Sequence, residues 1–194
     1  MRTKSLLTIG LAAAGMMYGA SVFAAGSTPT TGPFGTGKIT FTGTITNSPC
    51  DIAPGDDAIA VQLGQISYRH LKNVDDVSDS KPFTIHLQNC AFDPDDATSN
   101  PNQVGKMSKV TVSFSGNADS NNKGYVNTGN AQNVAVQLLK SDNHTILAPN
   151  ADADAQQLQT GNNELNFFAR VVALTTAVTP GTIESSVTYT LKYL

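Results

Sequence analysis

The last nine residues of the chain, 186–194, alternate between apolar and polar side chains. Because successive side chains of a β-strand point to opposite faces, this pattern predicts a strand with one apolar face. That face carries Val187, Tyr189, Leu191 and Tyr193. No later segment could form a hairpin with this strand, so we expect its outer edge to be covered by an earlier strand or by another molecule. Gly181, in a turn-like run just before the strand, predicts a bend.

Shorter patterns of the same kind recur along the chain and predict further strands. They cover 38–46, 59–63, 83–87, 110–114, 134–139 and 165–174. The last of these is apolar on both faces, which indicates a central strand. Polar loops rich in Asp, Asn, Ser and Gly separate the strands, and no segment has the pattern of an amphipathic helix. The sequence therefore predicts an all-β protein with an antiparallel β-sandwich fold.

The first residues have the features of a secretory signal peptide, predicted to span 1–24. Two basic residues, Arg2 and Lys4, precede an apolar run over 6–17, and small residues fit a cleavage site after Ala24. We therefore expect the chain to be exported from the cytoplasm.

Composition limits the possible partners of the remaining 170 residues (194 less 24), which is the usual length of one domain. They keep 10 of the 12 Lys and Arg residues and all 15 Asp and Glu residues, a net charge of −5. This acidic balance argues against nucleic acids and anionic membranes as partners. No later apolar run approaches the roughly 20 residues of a membrane-spanning helix, so no membrane anchor is predicted.

Two cysteines, Cys50 and Cys90, are the only ones in the sequence. In an exported protein a single pair predicts a disulfide bond. The alternatives, a redox pair or half of a zinc site, are disfavoured because the sequence has no Cys-x-x-Cys spacing.

Residues 25–37 differ from the rest of the chain, with four glycines, two prolines and one large apolar residue, Phe34. They predict an N-terminal extension and not a core strand. Phe34 has the opposite parity to the apolar positions of 38–46, and Gly35 and Gly37 interrupt the pattern between them. The extension could therefore bend away to reach another molecule; a flexible tail is the alternative.

Residues with the chemistry for catalysis or metal binding are scattered. His70, His86 and His144 have no partners at metal or triad spacing, and no glycine-framed nucleophile or phosphate-binding loop is present. The aspartates near 93–96 and 152–154 lack the glycine and distal glutamate of a calcium loop. We expect no enzymatic activity, cofactor or metal.

Several of these stretches resemble the pilin subunits of the chaperone-usher pathway of Gram-negative bacteria, particularly type 1 fimbrial subunits. Residues 37–45 followed by Cys50 resemble the family's first strand and first cysteine, and 61–66 and 85–90 resemble its next motifs. The C-terminus carries the most specific likeness, a glycine fourteenth from the end, Gly181, and a penultimate tyrosine. A long polar insert over 92–105 departs from the family pattern.

The resemblance implies an immunoglobulin-like sandwich over 38–194 that lacks its final strand and is completed by donor-strand exchange. In that process the extension of one subunit fills a groove between the first and last strands of another. The implied donor residues are Thr28, Thr30, Gly32, Phe34 and Thr36. The implied residues of the acceptor groove and of chaperone and usher recognition are Ile39, Phe41, Gly181, Val187, Tyr189, Leu191, Tyr193 and Leu194.

The resemblance also implies partners and a location. The partners are a periplasmic pilus chaperone, an outer-membrane usher, other copies of the chain and other fimbrial subunits. The chain would pass through the periplasm to a surface fimbria that contributes to cell adhesion. The alternative functions are a minor adaptor subunit and a carbohydrate-binding fimbrial adhesin. The adhesin is disfavoured because tip adhesins of this pathway usually carry a second domain.

Overall fold

The computed structural model describes residues 35, 37–93 and 106–194. The chain divides into two compact units, Met1–Ile45 and Thr46–Leu194. The predicted signal peptide, the five predicted donor residues and most of the polar insert lie outside the described residues. All helical turns and strands assigned in the described residues belong to the second unit.

Nine strands and two 3₁₀ turns make up the described secondary structure of the second unit. The strands are β1 (Asp51–Ile52), β2 (Lys81–Cys90), β3 (Lys109–Gly116), β4 (Tyr125–Val126), β5 (Val134–Leu139), β6 (Ile146–Leu147), β7 (Gln156–Gln157), β8 (Gly161–Ala173) and β9 (Val187–Tyr193). The 3₁₀ turns are Asp56–Ala58 and Tyr68–His70. None of the helical turns in the described ranges is long enough to span a membrane.

The strands form two antiparallel sheets. The larger has the order β1-β2-β8-β5-β4, with β6 also paired to β5, and the smaller has the order β7-β3-β9. Alternate residues of β8 are buried over 165–171, because one face of the larger sheet packs on the core, and the last three residues, 171–173, are all buried. The rings of Phe83 and Phe167 on that sheet lie 6.0 and 5.0 Å from the ring of Phe114 on the smaller sheet. The predicted all-β antiparallel sandwich is confirmed.

The disulfide between Cys50 and Cys90 is also confirmed. Cys90 ends β2, Cys50 directly precedes β1, and both side chains are buried. The bond therefore fixes the start of the second unit to the larger sheet, next to the β1–β2 pairing.

Most predicted strands are present, and β8 lies between β2 and β5 as a central strand. Two predictions were wrong, because neither 38–46 nor 59–63 forms a strand. In the first segment Ile39, Phe41 and Ile45 are 78%, 89% and 101% exposed. Both segments alternate in polarity as a strand does, but in the described part of the chain neither has a neighbouring strand to bond with.

Candidate functional site

A large groove opens along one side of the sandwich, with a volume of about 1350 Å³. Its floor consists of core side chains from both sheets, among them Phe83, Ile85, Phe114, Tyr125 and Leu138. Its two walls are residues 57–68, which begin within the first 3₁₀ turn, and residues 178–189, which end within β9. An apolar floor between two extended walls has the shape of a missing strand of the sandwich.

The first wall presents alternating apolar side chains to the groove. Ile59, Val61 and Leu63 are half-buried against the core, whereas Ala60 and Gln62 between them are exposed. Throughout the described structure, the backbone of 59–66 takes part in no hydrogen bond. The wall therefore has the side-chain pattern of a strand and a full set of unused backbone donors and acceptors.

The second wall includes the open edge of β9. Lys109 and Leu194 exchange both backbone hydrogen bonds, at 3.2 and 2.8 Å, which makes them a hydrogen-bonded pair of the β3–β9 ladder. Hydrogen-bonded and non-bonded pairs alternate in an antiparallel ladder. The backbone groups of the β9 residues in the non-bonded pairs therefore face away from β3. These residues are Val187, Tyr189, Leu191 and Tyr193. No strand in the described ranges bonds to them.

Gly181 lies where the second wall crosses another loop at close range. A Cβ atom on Gly181 would lie 2.3 Å from the backbone nitrogen of Ala131 and 2.5 Å from the carbonyl carbon of Asn130. The sequence predicted a bend that needs the freedom of glycine, but the φ angle of Gly181 is not in the left-handed region. The structure instead requires glycine because there is no room for a side chain.

The side chain of Asn127 fixes the same wall, and nothing in the sequence pattern singled it out. Its amide nitrogen donates to the carbonyls of Ala131 (2.8 Å) and Thr182 (3.3 Å). Its amide oxygen accepts from the backbone nitrogens of Gly129 (3.1 Å) and Glu184 (2.7 Å). All four bonding positions of this amide are used to join the wall to the loop beside it.

We expect Asn127→Ala to lower the free energy of unfolding by about 2 kcal/mol. The variant loses several hydrogen bonds of about 1 kcal/mol each, and water molecules replace only some of them. Denaturant unfolding of the two proteins measures the difference. Asn127→Asp is the matched variant, since its carboxylate can accept from Gly129 and Glu184 but cannot donate to the two carbonyls. A loss below about 0.5 kcal/mol for Asn127→Ala would contradict this role.

The two walls are joined at one end of the groove by Tyr189. Its hydroxyl donates to the backbone carbonyl of Asp56, at 2.8 Å. Burial raises the pKa of Tyr189, and the negative charges of Asp56 and Asp57 raise it further. The phenol therefore keeps its proton at neutral pH and remains a donor.

The predicted recognition residues fall into three groups. Gly181, Val187 and Tyr189 line the groove. Leu191, Tyr193 and Leu194 do not line it; the first two pack against the core, and Leu194 is exposed. Their parts in recognition stay predictions.

The other two residues are Ile39 and Phe41, and their parts in recognition also stay predictions. They belong to the first unit and are exposed, whereas the first wall of the groove consists of 57–68 in the second unit. The alternation over 59–63 was the signal for this wall, and it was interpreted as an ordinary strand. Sequence alternation could not show that 59–63 lines a groove without pairing as a strand.

Comparison with protein families identifies the family of this chain. The family model described as "Fimbrial protein" matches residues 39–194, well over half of the chain. The chain belongs to the fimbrial protein family. Among curated proteins, this fimbrial subunit is 32% identical over 200 residues to the Type-1 fimbrial protein, A chain, of Escherichia coli, with 100% of both chains covered. It is 30% identical over 190 residues to the fimbrial-like protein YgiL of Escherichia coli K12, covering 98% of this chain and 97% of that protein.

Solved structures agree with this assignment. A chaperone-usher pilus subunit, from a structure concerned with rod uncoiling, is 26% identical with a TM-score of 0.67, over 84% of this chain and 98% of that one. The P pilus rod subunit PapA, 23% identical with a TM-score of 0.61 over 76% of this chain and 100% of its own, shares the fold. The fimbrial subunit thus has the immunoglobulin-like fold of chaperone-usher pilins and is a component of cell-surface fimbriae.

Proposed function

We propose that this chain is a structural, non-enzymatic subunit that polymerises by donor-strand exchange and contributes to cell adhesion through the fimbria it builds. One observation carries the proposal. Among the described residues, the second unit has an apolar groove with two unpaired backbone edges, and 38–45 of the first unit has strand-like alternation without strand pairing. If this segment of one molecule were inserted as a strand into the groove of another, the backbone groups of both the segment and the groove edges would be paired.

The described residues favour a donor segment that continues beyond 25–37. Ile39, Phe41 and Ile45 share one parity, with Gly43 in register, and all three large side chains are exposed. Burying three such side chains would contribute roughly 5–9 kcal/mol, which is comparable with the total stability of a typical domain, about 5–15 kcal/mol. We therefore include 38–45 in the donor segment; Thr28 to Thr36, outside the described residues, remain predicted donors.

The same groove gives the proposed partners their roles. A periplasmic chaperone would lend a strand to the groove before assembly, since an unfilled apolar groove favours aggregation. An outer-membrane usher would then direct the exchange for the donor segment of the next subunit. The exposed C-terminal Leu194 is the proposed chaperone anchor.

We expect Phe41→Asp to reduce polymerisation of the purified chain at least tenfold, because burying an unpaired carboxylate in an apolar groove is strongly unfavourable. Electron microscopy and light scattering measure the polymers. Phe34→Asp is the matched control and should polymerise nearly as wild type if 38–45 supplies the main contacts.

The Phe41→Asp chain keeps its own groove, so it should still bind a synthetic peptide with the sequence of 37–46. If Phe34→Asp alone fails to polymerise, the donor segment is 25–37 and not 38–45. Normal polymerisation of both single variants and of the double variant would overturn donor-strand exchange through this segment.

A further inference from the structure

Tyr189 crosses from one wall of the groove to the other. It lies on β9, and its hydroxyl reaches the carbonyl of Asp56, immediately before the first wall. Tyr189 and Asp57 both line the groove, so this hydrogen bond lies at the boundary of the opening.

Asp56 is itself fixed to the larger sheet. Its carboxylate accepts from the backbone nitrogen of His86 (2.5 Å) and from the ring Nδ1 of His86 (2.8 Å). The Asp56 side chain is only 17% exposed. A continuous set of hydrogen bonds therefore runs from β9 in one sheet, through Tyr189 and Asp56, to β2 in the other.

The position of Asp56 along β2 explains this geometry. β1 pairs with β2 through Ile52 and Leu87, and the next backbone bond runs from the nitrogen of Ala53 to the oxygen of His86 (2.9 Å). Beyond this point the Asp56 carboxylate, instead of a backbone carbonyl, accepts from the nitrogen of His86. Asp56 thus ends the pairing with β2 where the chain departs to form the first wall.

Closing an empty apolar groove lowers the free energy of the protein, because closure removes apolar surface from water. To accept a strand, its two edges must stay about two strand spacings apart, or about 9.6 Å. We propose that the Tyr189–Asp56 hydrogen bond is a crossbar that holds the empty groove at this width, so that Tyr189 and Asp56 are positioning residues for strand insertion. The proposal rests on the proposed function. Once a strand is inserted, the strand itself maintains the width.

Tyr189→Phe tests the crossbar, since it removes the hydroxyl and leaves the ring. The assay follows a fluorescent peptide with the sequence of 37–46 binding to the full chain at low concentration. We expect association three- to tenfold slower than in wild type, the range for one lost hydrogen bond, with dissociation unchanged. Tyr193→Phe is the matched control on the same strand, because the buried Tyr193 hydroxyl lies near Ser48 but makes no hydrogen bond of normal geometry in the described structure.

Asp56→Ala is a second, independent variant, because it frees the carbonyl of Asp56 from its attachment to His86. It should slow association as Tyr189→Phe does, and Asp56→Asn should lie nearer to wild type because its amide oxygen can still accept from the backbone of His86.

The outcomes separate the two proposals. Equal association rates for wild type and Tyr189→Phe would overturn the crossbar, as would an equal slowing in Tyr193→Phe. An equal effect on the stability of the empty and filled proteins, without a change in association rate, would show a structural contact only and would also overturn it. Failure of the wild-type chain to bind the peptide would instead overturn the part of the proposed function in which 38–45 fills the groove.

Discussion

Replacing Cys50 and Cys90 together with alanine is expected to lower the free energy of unfolding by about 4 kcal/mol. The bond closes a loop with a sequence separation of 40 residues, and the chain-entropy model gives about this value for such a loop. Because a typical domain has about 5–15 kcal/mol in total, a large share of the stability of the empty subunit would be lost. Urea unfolding of the full chain, with and without the bound 37–46 peptide, measures the change.

The appropriate control is the wild-type chain under reducing conditions. It should unfold at nearly the same urea concentration as the double variant, whereas reductant should leave the double variant unchanged. A loss below about 1 kcal/mol in the double variant would contradict a stabilising role for the bond. Since the peptide binds only the folded chain, it should raise the unfolding midpoint of both proteins.

The fold was predictable where apolar alternation coincides with burial in the chain's own core. Segments 83–87 and 110–114 are examples, because each lies within a strand and most of its apolar side chains are buried in the core. Alternation failed at 38–46 and 59–63, since it reports an amphipathic extended segment but not its hydrogen-bonding partner. If donor-strand exchange is correct, the partner of each segment lies on another molecule.

The site was predictable only in part, for a related reason. The alternation over Val187 to Tyr193 indicated a strand with one apolar face, and in the described structure this strand lies at the edge of the smaller sheet. Asn127 and Asp56 gave no such signal, as their contacts come from tertiary structure: Asn127 bonds to Glu184, 57 residues away, and Asp56 to Tyr189, 133 residues away. A single Asn or Asp in a polar loop is typical of any turn.

Gly181→Ala is expected to lower the free energy of unfolding by about 3 kcal/mol, the upper end for overpacked sites. The added methyl group would meet the backbone of Asn130 and Ala131, at 2.5 and 2.3 Å, and backbone atoms cannot rotate away as a side chain can. The wall around Thr182 must therefore shift, and its hydrogen bonds to Asn127 and to the nitrogen of Ala131 would weaken. Urea unfolding measures the stability, and binding of the 37–46 peptide should weaken in parallel.

Two other glycines separate crowding from backbone strain. Gly37→Ala adds a methyl group with no atom within 4 Å and without a left-handed φ, so it should change stability by less than about 0.5 kcal/mol. Gly161→Ala also meets no neighbour, but its φ of +90° should cost about 1–2 kcal/mol from backbone strain alone. A Gly181→Ala effect no larger than that of Gly37→Ala would mean that the two loops separate easily. In that case the second wall would be too compliant to fix the register of an inserted strand.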